Sequence, residues 1–181
     1  MLIANRLKET NRAEYLLYMW QVEDLLRAYD CDADRLQREY LSRFDCSDGE
    51  RAEAARWYAD LCDMLLSEGK RQKGHLQICH NILDGLTELH EKLLRDPRFS
   101  QYSAAYYKAL PHIVELRARQ GEEVLPELET CFDAMYGIWL LKMQQKEISP
   151  DTAAAVGHIA DLLARLSAYW KKDKAGEIDW D

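Results

Sequence analysis

The sequence predicts an all-α fold, a compact bundle of six or seven mostly antiparallel helices, and three observations carry that prediction. Helix formers dominate: 26 Leu and 20 Ala stand against 4 Val, 8 Ile and 4 Thr in 181 residues. Helices favour the first set and sheets the second. Gly and Pro, the residues of turns, number only 8 and 4. Apolar residues recur at three- and four-residue spacing, and the stripes are separated by short polar connections with recognisable caps. With 48% apolar residues the chain can bury a core, which argues against intrinsic disorder. Its length fits a single domain over 1–172, followed by a polar tail over 173–181.

The first helix starts near Asn11, where Asn11 and Glu14 have capping-box spacing. Tyr15, Tyr18, Met19, Val22, Leu25, Leu26 and Tyr29 form its stripe, while Leu16, Leu17 and Trp20 fall outside it. A helix apolar on more than one side is central or faces a partner chain. Glu23 and Arg27, at i and i+4, are read as a surface pair. The second helix spans Ala33 to Phe44, capped by Asp32, with Leu36, Tyr40, Leu41 and Phe44 on its buried side. Ser47 and Glu50 form a Ser-x-x-Glu capping box for the third. That helix buries Ala54, Trp57, Tyr58, Leu61, Met64 and Leu65 and reaches Glu68, with Gly69 as its C-terminal cap.

The fourth helix spans Gly74 to Arg95 and carries the cleanest stripe: Leu76, Cys79, Ile82, Leu83, Leu86, Leu89 and Leu93. Asp96-Pro97 ends it. The fifth begins near Phe99 with Tyr102, Tyr106 and Leu110 on one face. Pro111 removes a donor and is expected to kink or break it before Gly121. The sixth begins at Leu125-Pro126 and buries Leu128, Cys131, Phe132, Met135, Trp139 and Met143. Ser149-Pro150 starts the seventh, which runs to about Lys171 with Val156, Ile159, Ala160, Leu163, Leu166 and Trp170 inward. The tail is expected to be loose unless Trp180 docks.

The net charge is −8, and it is uneven: −4 over residues 1–60, +2 over 61–121 and −6 over 122–181. An acidic chain has no general attraction for nucleic acid, so no nucleic-acid partner is expected. The local exception is Lys70, Arg71 and Lys73, the phosphate candidates, on a loop otherwise read as solvated. No run of apolar residues is long enough for a membrane span, and the first residues lack the pattern of a secretory signal. The five cysteines show no Cys-x-x-Cys spacing. They read as reduced core thiols of a cytoplasmic protein.

Catalytic signatures are missing. The residues three before the five histidines are Gln72, Gln77, Thr87, Ala109 and Ala155, so the Glu-x-x-His pairs of a di-iron bundle are absent. His75 and Cys79 share a helix face but find no third ligand in reach. Asp30, Asp32 and Asp34 alternate, yet Arg35 stands where a calcium loop needs Gly. Nucleophile elbows and phosphate-cradling Gly loops do not occur. No catalytic residue, metal or cofactor is therefore assigned, and whether the chain is an enzyme stays open. Three features remain as ligand or partner candidates: Glu14, Gln21 and Asp24 beside Tyr18; the tyrosines Tyr102, Tyr106 and Tyr107; and the mid-helix glycines Gly85, Gly137 and Gly157, read chiefly as close helix crossings.

The segment from Ala13 to Ala28, AEYLLYMWQVEDLLRA, resembles the N-terminal hallmark of a domain-of-unknown-function family from Bacteroidetes bacteria. Supporting fragments are Glu115-Leu116-Arg117, Cys131-Phe132, Tyr136-Gly137 and Lys146-Glu147-Ile148-Ser149. The resemblance implies an all-helical intracellular bacterial protein and supplies no activity or site residue. Besides a nucleic-acid partner at the Lys70–Lys73 loop, two functions are in view. One is a non-enzymatic interaction or scaffold module, self-associating through the first helix or the aromatic face. The other is a bundle with a small-molecule pocket lined by first-helix polar groups and tyrosines.

Overall fold

The computed structural model describes residues 2–121 and 124–180; residues 1, 122, 123 and 181 lie outside the described residues. Among those described there are eight α-helices and no strand. They are α1 (Leu2–Thr10), α2 (Arg12–Ala28), α3 (Ala33–Glu39), α4 (Asp48–Ser67), α5 (Gln77–Arg95), α6 (Ser100–Ala118), α7 (Glu127–Met143) and α8 (Pro150–Lys174). Short 3₁₀ turns lie at Leu41–Arg43 and Pro97–Phe99. The all-α expectation stands, and the count is corrected from six or seven to eight. The additional helix is α1, whose Ala4 is buried; it is too short for its periodicity to stand out in the sequence.

The described residues divide into two compact units. The first comprises residues 2–10 and 14–82, the second 11–13, 83–121 and 124–180, so the division falls inside α5 and at the first turn of α2. In the first unit, α2 buries Leu16, Met19, Trp20, Val22 and Leu26. The stripe is rotated from the expected one: Leu16 and Trp20 are inside, while Tyr15, Tyr18, Leu25 and Tyr29 are half-buried. The next helix stops at Glu39, and its expected last turn becomes the 3₁₀ turn, leaving Phe44 half exposed. The Ser47–Glu50 box caps α4 as expected, each residue bonding the other's backbone. Gly69 takes a left-handed φ of 66°. Lys70 N then donates to Leu65 O and closes the α4 C-terminus.

In the second unit α6 packs against α7 and α8. Tyr102, Ala105, Ala109 and Ile113 of α6, Leu128, Cys131 and Phe132 of α7, and Ile159, Leu162, Leu163 and Leu166 of α8 are buried. Pro111 does not break α6, which runs unbroken through it. Both Pro111 and Tyr107, whose carbonyl loses its partner, face solvent, so water can take the lost bond. Met143, expected inward, is exposed as the last residue of α7. A Cβ at Gly85, Gly137 or Gly157 would meet nothing within 4 Å, so none marks a close crossing. The tail is tied down: Trp180 Nε1 donates to Asp173 at 2.6 Å, and Arg98 donates to Asp179 O at 2.8 Å.

Candidate functional site

The site begins with three tyrosines of the first unit. Tyr18 comes from α2, Tyr40 from the residue between α3 and its 3₁₀ turn, and Tyr58 from the middle of α4. The Tyr58 hydroxyl lies close enough to those of Tyr18 and Tyr40 for the phenols to influence one another's ionisation. The Tyr40 and Tyr58 rings meet edge to face at 6.3 Å. Burial pushes the pKa of all three upward; Tyr18 and Tyr40 raise that of Tyr58 further, while Tyr58 pulls theirs partly back. They remain neutral phenols at any physiological pH, able both to donate and to accept.

These rings wall a cavity of about 370 Å³. Ile3 from α1, Leu41 and Phe44 from the 3₁₀ turn and Ala54 from α4 supply the rest of its hydrocarbon. Ile3 and Phe44 are half exposed and sit at its mouth. Two charged residues border it, and both are engaged. The Arg51 guanidinium donates to the Leu41 and Phe44 carbonyls, which pins the turn. The Glu50 carboxylate accepts from Ser47 N at 2.9 Å and Ser47 Oγ at 2.7 Å. Those bonds hold its pKa below the usual carboxylate value. Cys46 completes the lining, and all five cysteines are free thiols. A hydrocarbon chamber with a few convergent hydroxyls and no spare charge suits a neutral ligand with an apolar body and one polar end.

A second polar cluster of the same unit was missed by sequence reasoning. Glu23 is fully buried, not a surface partner of Arg27. Its carboxylate accepts from Leu76 N at 2.9 Å and Cys79 Sγ at 3.3 Å, and lies 2.7 Å from His75 Nδ1. Trp20 stacks on the imidazole at 4.1 Å. Glu68 accepts from Gln77 N at 2.8 Å. Both carboxylates therefore sit at the start of α5, where orphan N–H groups and the positive end of the helix favour an anion. Burial and then Glu23 push the Cys79 thiol far up, so it serves as a donor and not as a nucleophile. The cluster reads as a tertiary cap for α5.

The expected candidates are dispersed. Tyr18 joins the cavity, while Glu14 and Asp24 are exposed and Gln21 is half-buried. Asp24 pairs with Arg27 at 3.0 Å. Arg27 also clamps the Lys70 and Gly74 carbonyls. That clamp shapes the phosphate-candidate loop, on which Arg71 and Lys73 are exposed and Lys70 lies along Gly74. Tyr102 is fully buried, its hydroxyl 2.6 Å from His90 Nδ1. The Tyr106 hydroxyl donates to Glu127 at 2.9 Å, and Tyr107 is exposed. In the second unit a cavity of about 570 Å³ lies among α6, α7 and α8, bordered by Glu115, Arg119 and Asp151 and opened by Gly137. Among the described residues no group of three His, Cys, Asp or Glu can hold a metal ion. No described helix is long and apolar enough to cross a membrane.

A family model described as "Domain of unknown function (DUF4924)" matches residues 1–177. No curated protein matches the chain, and no solved structure does.

Proposed function

We propose, for a chain that belongs to the DUF4924 domain-of-unknown-function family, that it is a binding protein for a small neutral molecule with an apolar body and a single hydroxyl, carbonyl or amine. The observation that carries this reading is the cavity lined by three clustered, neutral tyrosines behind a hydrocarbon mouth. Burying such a ligand returns roughly 25 cal/mol per Å² of apolar surface. A phenol that bonds the ligand's polar end keeps that end from being buried unsatisfied. Charged ligands are disfavoured, since Arg51 and Glu50 are already paired. The resemblance of the Ala13–Ala28 segment supports a bacterial, intracellular setting.

The test uses the neutral fluorophore 1-aminoanthracene. Its emission is expected to rise on binding, with saturation in the micromolar range. Ala54→Trp, which fills the chamber, is expected to weaken binding at least about tenfold, the equivalent of 1.4 kcal/mol. The corresponding carboxylate, anthracene-1-carboxylic acid, is expected to compete poorly. No fluorescence change, or binding indifferent to Ala54→Trp, contradicts the reading.

The interaction reading keeps one specific support, the exposed apolar side of α6.

A further inference from the structure

Helix α6 is apolar on two opposite sides. One is buried in the second unit through Tyr102, Ala105, Ala109 and Ile113. Opposite them lie Ala104, Tyr107, Pro111, Val114 and Ala118, all exposed. Tyr107 is 66% and Val114 56% exposed. An ordinary surface helix is polar there. The spacing of these five is three, four, three, four, the a and d register of a helix that seats against another helix.

The flanking charges say which helix. Lys108 and Glu115 occupy the two positions that follow the d residues Tyr107 and Val114, on one edge of the stripe. In an antiparallel pair this edge of one helix runs along the same edge of the other. In such a pair an a residue meets a d residue, so Tyr107 of one copy seats on Ala118 of the other and Pro111 on Val114, the register that brings Lys108 alongside Glu115. Turned end for end, the surface complements itself in both shape and charge, as a two-fold interface requires.

We propose that α6 is a homodimer interface, in which a second copy of this chain packs antiparallel along the Ala104–Ala118 stripe, with Lys108 of each copy facing Glu115 of the other. Small Ala residues at both ends let the backbones approach, and Tyr107 anchors each half. The stripe is about 21 Å long at 1.5 Å per residue. That places the contact at the low end of specific interfaces and the association in the micromolar range. Glu115 also pairs with Arg119 of its own helix, an exposed contact that leaves its second oxygen available to the lysine.

Sedimentation velocity of the full chain, from low to high micromolar loading, tests this. The wild type is expected to shift from monomer to dimer over that range, and Val114→Glu to remain monomeric. Lys108→Glu and Glu115→Lys are each expected to weaken the dimer roughly tenfold, because each sets like charges face to face twice. The double variant is expected to return to within about threefold of wild type. The substituted residues are exposed, and a thermal melt of each variant checks that it remains folded. A wild type that stays monomeric at the highest loading overturns the proposal. So does a dimer that survives Val114→Glu, or a double variant no better than the single ones.

Discussion

Glu23 is the residue on which the local electrostatics of the first unit turn. It has no exposed surface, and it accepts from Leu76 N and Cys79 Sγ beside His75. Glu23→Ala leaves those donors buried and without their acceptor. The expected cost is about 3 kcal/mol in urea unfolding, as for a broken buried pair. A loss below about 0.5 kcal/mol contradicts the capping role. The residue was within reach of sequence reading, since Leu16, Met19, Trp20, Glu23 and Leu26 share one helical line. A longer rival stripe from Tyr15 to Tyr29 outweighed it, and the partner, His75, lies 52 residues away. His90 supplies a pH dependence. Burial lowers its pKa from 6.5, against the opposing pull of Glu127 and Glu91. Below that value the unfolded chain takes up a proton that the folded chain resists. The stability present above pH 6.5 therefore declines as the pH falls. His90→Gln is expected to flatten the fall in melting temperature between pH 7 and pH 5; an unchanged slope contradicts the assignment.

Among the elements, the helix ends were the most legible. Asp32, Ser47 and Ser149 each accept from the backbone three residues on, as their types and spacing predicted. Helix interiors were less so. Pro111 lies on the solvated side of α6, where a missing donor costs least, and nothing in its immediate sequence reports which side that is. The glycines Gly85 in α5 and Gly157 in α8 were read as close crossings, yet both face open space. Gly85→Ala and Gly157→Ala should therefore each stabilise the protein by about 0.5–1 kcal/mol. The matching rise in melting temperature is about 1–4 °C for a chain of this size. A fall in either variant means that the side chain meets a neighbour.

For the whole molecule, composition and periodicity pointed to the all-α class, and the capped stripes to seven of the eight helices among the described residues. The cavity was only partly visible. Tyr18 was singled out for its place beside polar first-helix residues, while Tyr40 and Tyr58 looked like core positions of separate helices. They become a site only when α2, α4 and the intervening turn gather their hydroxyls, at sequence separations of 22 and 18 residues that no local pattern records. The chain's negative charge made phosphate recognition a local question, and the Arg27 clamp gives the Lys70–Lys73 loop a structural explanation. The claim that the tyrosine cavity binds a neutral apolar ligand is tested most directly by a backbone-amide NMR titration with 1-aminoanthracene. Saturable shifts centred on Ile3, Tyr18, Tyr40, Phe44, Ala54 and Tyr58 are predicted; no saturable shifts, or shifts centred elsewhere in the chain, would contradict it.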